Sequence, residues 1–165
     1  MADRKLARTD PKALLWKELG SVRAGMLGLV GSGQHMQPMA HHADEEGGRI
    51  WFLTKRSTDL FRAVGPGSTA HFCVISKDQD FHACMSGPLT AEMDRARLDE
   101  MWNAVNAAWF EGKDDPDLAM LALTLKSAAI WASTDSTARF AYEIAKANLT
   151  DDMPDVGVHN IVEFV

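Results

Sequence analysis

Short runs of apolar and β-branched residues, separated by turn-forming residues, recur between positions 24 and 93 of this chain. Runs of this length between glycine-containing or polar turns are typical of β-strands. They predict strands at residues 24–30, 34–42, 49–54, 68–75 and 81–93. Because tight turns join antiparallel strands, this succession predicts a meander. Gly87 and Pro88 interrupt the fifth run and predict a bulge or a bend there.

Apolar residues recur every three or four positions from Asp94 to Trp109, and they predict the clearest helix of the chain. We expect this helix to pack Trp102 and Trp109 into the core, because large aromatic side chains gain most from burial. Shorter helices are predicted at residues 13–19, 57–64 and 137–148. Further strands are predicted at residues 118–125, 128–132 and 160–165.

The order of these elements predicts an α+β, mainly β fold of six to seven mostly antiparallel strands with flanking helices. A small closed or split β-barrel is the arrangement that hides the strand edges. The 165 residues suit one domain. We expect its core at about residues 12–133, followed by a helix and tail at residues 134–165.

Charge and hydrophobic pattern exclude several classes of partner. The formal net charge is −6, and no run of Lys or Arg offers a patch for nucleic acid. No apolar stretch is long enough to span a membrane, and no signal peptide is visible. The two cysteines, Cys73 and Cys84, are therefore expected as reduced thiols in a cytoplasmic protein.

Motifs for nucleophilic catalysis or nucleotide binding are absent from the sequence, which has no G-x-S-x-G, G-x-G-x-x-G or P-loop spacing. We assign no catalytic acid, base or nucleophile.

Six histidines raise the question of a metal or haem site. His41 and His42 are adjacent, so on one strand they would point to opposite faces. His71 shares a strand face with Cys73, and His82 shares one with Cys84. If these two strands are neighbours, a metal site with nitrogen and sulfur ligands is possible. No C-x-x-C, H-x-x-x-H or H-E-x-x-H spacing supports it, so we assign no metal ligand. The other interpretation is partly buried polar side chains at a cofactor rim.

The third predicted strand is followed by Lys55, Arg56, Ser57 and Thr58, and then by a helix. A helix start with cations and hydroxyls beside it is a ready anion site. Ser57 and Thr58 could equally be helix caps.

This same segment carries a family resemblance. Residues 50–58 (IWFLTKRST) resemble the third strand and loop of general stress protein 26-like split barrels, within the pyridoxamine 5′-phosphate oxidase-like superfamily. Five other segments resemble family motifs in the same order: residues 37–39, 86–87, 98–110, 114–118 and 128–131. The resemblance covers about residues 12–133.

The resemblance implies a split β-barrel homodimer with a flavin, FMN or FAD, at the subunit interface. The ring would lie against Gln37, Pro38 and Met39, with Leu53 and Thr54 lining the pocket. Trp131 would reach in from the other subunit, with an ordinary core position as the alternative. The full implied cofactor set is Gln37, Pro38, Met39, His42, Leu53, Thr54, Lys55, Ser57, Thr58 and Trp131.

The chain departs from the family at the positions that hold the phosphate. Gln37, Leu60, Asp59 and His42 stand where the resemblance expects cations. A dianionic phosphate needs compensating charge, so we expect weakened flavin binding unless cations nearby substitute. Two functions follow. One is a flavin-binding general stress protein with flavin-dependent oxidoreductase activity. The other is a non-enzymatic dimeric barrel that has lost flavin and binds haem, another ligand or a protein.

Overall fold

The fold is taken from a computed structural model that describes residues 3–133, 137–149 and 157–165. Its helices are α1 (Arg4–Thr9), α2 (Pro11–Leu19), α3 (Asp59–Ala63), α4 (Arg95–Met101), α5 (Ala104–Ala107) and α6 (Thr137–Leu149). Its strands are β1 (Ala24–Leu29), β2 (Gln37–Ala40), β3 (His42–Asp44), β4 (Arg49–Lys55), β5 (Thr69–Ile75), β6 (Phe81–Ala91), β7 (Leu118–Thr124), β8 (Ser127–Ser133) and β9 (Gly157–Glu163).

The strands form a strongly curved antiparallel sheet in the order β2-β1-β5-β6-β7-β4-β3, with β8 paired to β6 and β9 paired to β8. The predicted α+β split barrel with flanking helices is confirmed. The described residues contain nine strands instead of the expected six to seven, because all eight segments predicted as strands form strands and residues 34–42 divide into two. Helix α1 was not predicted from the sequence. Among the described residues, no helix is long and apolar enough to cross a membrane.

Strand β6 turns the corner of the barrel at Gly87. Residues 81–86 pair with β8, whereas residues 89–91 pair with β7. A Cβ atom at Gly87 would collide with the carbonyl oxygen of Thr124 at the end of β7. Glycine is therefore required where the backbone passes this close, and the interruption predicted at Gly87 and Pro88 coincides with the change of partner.

The prediction of one strand over residues 34–42 is wrong. The chain forms β2 and β3, which lie at opposite ends of the strand order. His41 sits between them. Its Nε2 donates to the carbonyl oxygen of Leu19 at 2.9 Å, and its ring packs edge-on against Phe72. These contacts draw His41 towards the core and end the first strand, leaving a split between β2 and β4.

The prediction of one helix from Asp94 to Trp109 is also wrong. Trp102 has an extended backbone, and the Asn103 side chain then caps a separate short helix by accepting from the N–H groups of Val105 and Asn106. The new helix direction carries Trp109 out of the core, where it is 69% exposed. Trp102 remains half-buried against the smaller core cluster, so only Trp109 departs from the predicted burial.

Two apolar clusters hold the fold together. The larger one packs α1 and α2 against the inner face of the sheet, with Leu14, Leu15, Phe52 and Phe72 fully buried. The smaller one consists of Trp51, Leu98, Met101, Leu118, Met120 and Ala122. This second cluster fixes α4 on β4 and β7, and thereby positions α5 beside the end of β4.

Candidate functional site

A cavity of about 430 Å³ lies at the split, between the end of β2, the start of β3, the end of β4 and α5; we call it the main cavity. Its lining residues are Ala40, His42, Leu53, Thr54, Lys55, Thr58, Val105, Asn106, Trp109 and Phe110. Five of them, His42, Leu53, Thr54, Lys55 and Thr58, were named from the sequence. A site of this size, with aliphatic and aromatic walls and a few polar groups, suits a small organic ligand.

The end of β4 and the start of α3 position the polar side of the main cavity. The Thr58 side chain caps α3 by accepting from the N–H of Phe61 at 3.2 Å, and it donates to the Lys55 carbonyl at 2.8 Å. The hydroxyl oxygens of Thr54 and Thr58 are 3.3 Å apart. Thr58 is thus both a helix cap and a lining residue of the main cavity. The sequence left the helix cap and the ligand site as alternatives for this residue, and the two are compatible.

Ser57 does not line the main cavity, because a carboxylate of this same chain takes both of its donors. The backbone N–H and the hydroxyl of Ser57 donate to Asp117, at 2.9 and 2.7 Å. The N–H of Arg56 donates to the Asp117 carbonyl at 2.7 Å. Much of the predicted anion-binding loop is therefore engaged by an internal anion.

The main cavity has little positive charge. Among its lining residues Lys55 is the only Lys or Arg, and its Nζ lies 5.8 Å from the centre of the Phe110 ring. Burial lowers the pKa of His42, and the neighbouring His41 lowers it further. His42 is therefore neutral at pH 7, where it can donate or accept a hydrogen bond.

The other predicted residues lie outside the main cavity. Gln37, Pro38 and Met39 form β2, and Pro38 lines a smaller, apolar cavity of about 240 Å³ with Met26 and Cys73. Trp131 is 44% exposed on β8 and stacks on His159, with ring centres 5.0 Å apart. It is not a core residue of this chain.

The outward face of β1, β5, β6, β8 and β9 is called the open sheet face here. Trp131 lies on this face, and Pro38 lies at its edge on β2. Cross-strand pairing aligns its side chains in rows. One row is Met26, Cys73, Cys84, Ala129 and Ile161, and another is Ile75, His82, Trp131 and His159. Among the described outward residues of these strands, Glu163 is the only Asp, Glu, Lys or Arg.

Cys73 and Cys84 face one another across β5 and β6 as free thiols, and Cys84 Sγ lies 3.7 Å from Nδ1 of His71. Burial raises the pKa of the Cys73 thiol to about 12, with a further contribution from Cys84, so Cys73 is protonated at neutral pH. Within the described ranges, no group of three or more His, Cys, Asp or Glu side chains is arranged to hold a metal ion.

Five lining residues, Ala40, Val105, Asn106, Trp109 and Phe110, were not predicted as site residues. The sequence placed Val105 and Trp109 on the apolar stripe of one continuous helix, so their signal was assigned to the core. A second cavity of about 460 Å³ adjoins the first and shares Lys55, Trp109 and Phe110 with it. Its remaining wall includes Asp115, whose pKa is lowered by hydrogen bonds from the N–H groups of Glu111 and Asp117.

Comparison with known proteins identifies the family of this fold and cavity. The sequence matches the family described as "Pyridoxamine 5′-phosphate oxidase like" over residues 10–155. The chain belongs to the pyridoxamine 5′-phosphate oxidase-like family. A search of curated proteins finds no match.

Solved structures of family members align over most of the chain. A protein assigned as general stress protein 26 from Jannaschia sp. CCS1 is 42% identical, with TM-score 0.76, and the alignment covers 90% of this chain and 95% of that one. The general stress FMN/FAD binding protein from Xanthomonas citri is 40% identical, with TM-score 0.68, covering 74% and 88%. General Stress Protein 26 from Bacillus anthracis, at 16% identity and TM-score 0.65 over 73% and 92%, shares the fold.

Proposed function

We propose that this protein is a flavin-binding general stress protein that holds FMN or FAD in the main cavity, with flavin-dependent oxidoreduction as its candidate activity. The observation that carries the proposal is the convergence of His42, Leu53, Thr54, Lys55 and Thr58 on one cavity, as the family resemblance implied. The similarity to the Xanthomonas citri FMN/FAD binding protein supports the same ligand class.

The chemistry of the lining residues fits a flavin. Leu53, Val105 and Phe110 offer an apolar wall to a planar ring, and His42 offers a neutral imidazole at its edge. Lys55 offers a charged donor to a phosphate, and the Thr54 hydroxyl can turn from Thr58 towards a phosphate or a ribityl chain, whereas the Thr58 proton is held by the Lys55 carbonyl. A bound flavin would supply the redox chemistry, while these residues bind it, orient it and shield it from water.

The charge of the site favours weak binding of a phosphate. One lysine faces a monophosphate that carries about −1.5 to −2 charges at pH 7, and the carboxylate of Asp117 lies just behind the loop. We therefore expect most of the binding free energy to come from the ring.

The protein is further proposed to act as a homodimer, with a second copy on the open sheet face. A solvated antiparallel sheet face normally carries polar and charged side chains, whereas this one carries exposed Met26, Ile75, Trp131 and Ile161 and almost no charge. The same face presents Trp131 to a partner, as a shared flavin site requires. We place the protein in the cytoplasm, with no nucleic acid or membrane partner.

The alternative is a non-enzymatic dimeric barrel without flavin, and the specific observation in its favour is the occupation of the Ser57 donors by Asp117. Equilibrium dialysis of the purified protein against FMN and FAD separates the two functions, because it also detects weak binding. A saturable excess of flavin on the protein side supports the proposal. No excess of flavin, or a Soret band of haem in the purified protein, supports the alternative.

A further inference from the structure

Trp109 is the largest exposed apolar side chain at the main cavity. It is 69% exposed and lies between the main cavity and the second cavity, lining both. An indole is costly to leave in water, because most of its large surface is apolar. Within the described part of the chain it makes no ring contact, whereas the adjacent Phe110 packs against Trp102 and lies beneath Lys55.

The backbone under Trp109 is well fixed, so the exposure is built into the fold. The N–H of Trp109 donates to the carbonyl of Asn106 at 3.0 Å. The side-chain amide of Asn106 donates to the Met101 carbonyl at 2.8 Å, which ties α5 back to α4. Asn103 caps α5 before Trp109, and Phe110 packs against the smaller cluster after it. These contacts on both sides hold Trp109 at the mouth of the main cavity.

We propose that Trp109 is a ligand-contact residue that stacks its indole on the planar ring bound in the main cavity. The proposal rests on flavin being that ligand. Aromatic rings attract one another in offset-stacked or edge-to-face arrangements, and burial of both apolar faces adds to this attraction. The wall formed by Leu53 and Phe110 packs against the smaller core cluster, whereas Trp109 is exposed and closes the solvent side of the ring. It also shields the ring from the second cavity.

The test compares two variants of Trp109 with a matched control. Trp109→Ala removes the stacking ring, and Trp109→Phe retains a smaller one. Tyr142→Ala is the control, because Tyr142 is an aromatic side chain of similar exposure (64%) on α6, and it lines neither cavity. Binding of riboflavin and of FMN is followed by flavin fluorescence, and the ring environment by the visible absorption of the bound flavin.

Trp109→Ala is expected to weaken the binding of both riboflavin and FMN about tenfold. This value lies within the range measured for planar bases stacked on aromatic side chains. Trp109→Phe is expected to recover most of the affinity, and Tyr142→Ala to match the wild type. The absorption shift of the bound ring should shrink in Trp109→Ala. Equal affinity and an unchanged spectrum in wild type and Trp109→Ala would overturn the inference. If the wild-type protein bound neither flavin, the proposed function would fail first and this inference with it.

Discussion

The carboxylate of Asp117 accepts hydrogen bonds from both the backbone N–H and the hydroxyl of Ser57, at 2.9 and 2.7 Å. It thereby satisfies the donors that a phosphate would use in this loop, and it adds a negative charge beside them. The two Ser57 donors of this loop are therefore paired within the chain itself.

Asp117→Asn should therefore strengthen FMN binding. The change removes one charge and frees the Ser57 hydroxyl, and charges a few Å apart in water interact by about 1 kcal/mol, or about fivefold in affinity. Isothermal titration with FMN measures the change. Asp114→Asn is the control, because it removes the same charge at the exposed Arg95 pair outside both cavities. Equal gains in both variants would assign the effect to net charge alone.

Lys55→Met should weaken FMN and leave riboflavin nearly unchanged. Lys55 is the lysine that faces the main cavity, and a hydrogen bond to a charged group contributes about 1.5–3 kcal/mol. The Asp117 carboxylate behind the loop favours the lower end of this range, which is about tenfold in affinity. Riboflavin lacks the phosphate and serves as the internal control for damage to the pocket. An equal loss for both ligands would mean that Lys55 acts by packing over Phe110.

Ile161→Asp should convert the proposed dimer into monomers. Ile161 is 66% exposed in the subunit and lies in the central row of the open sheet face. A carboxylate buried there without a partner would be strongly unfavourable. Sedimentation velocity over a range of concentrations measures the change. Met93→Asp is the control, since Met93 is also partly exposed (43%) but lies outside this face. A wild-type protein that sediments as a monomer would contradict the proposed interface.

The free energy of unfolding should fall as the pH drops below about 6.5. Burial lowers the pKa of His41 and of His42 from 6.5, so the unfolded chain binds protons that the folded chain does not. The stability that these neutral rings contribute is fully present above the pKa of histidine in the unfolded chain. It is lost as the pH falls from there towards the lower pKa values of the folded chain. Nδ1 of His41 is buried and has no hydrogen-bond partner among the described residues, so a proton there finds no acceptor.

The matched variant is His41→Gln, which keeps an N–H donor for the Leu19 carbonyl but does not titrate. Urea unfolding gives the free energy of unfolding of the wild type and the variant at pH 7.5 and pH 5.5. Carboxylates titrate in both proteins, so a difference between the two pH dependences is due to His41. We expect the variant to lose less stability than the wild type at pH 5.5. Parallel losses would show that His41 does not contribute.

Local pattern predicted most of the strands and failed where tertiary contacts override it. The run at residues 49–54 is rich in aromatic and β-branched residues and pairs as β4, as expected. Residues 34–42 look equally continuous, yet the chain breaks at His41 because a carbonyl 22 residues away binds its ring. Likewise the apolar spacing continues through Trp102, and only the capping by Asn103 reveals the break.

The candidate site was predictable where the family resemblance covers it, at His42 on β3 and at Leu53, Thr54, Lys55 and Thr58 along the end of β4 and the loop that follows. Trp109 could not be named, since its spacing is that of a buried helical stripe and its exposure depends on the break at Asn103. The role of Asp117 was equally hidden, because its contact with Ser57 joins residues that are 60 positions apart.

Titration of the purified protein with riboflavin, FMN and FAD, followed by flavin fluorescence, tests the central claim most directly. The account predicts saturable quenching at micromolar flavin, with affinities for riboflavin and FMN within about tenfold of one another because Lys55 alone serves the phosphate. Fluorescence that only rises in proportion to added flavin, up to high micromolar concentrations, would contradict flavin binding in the main cavity.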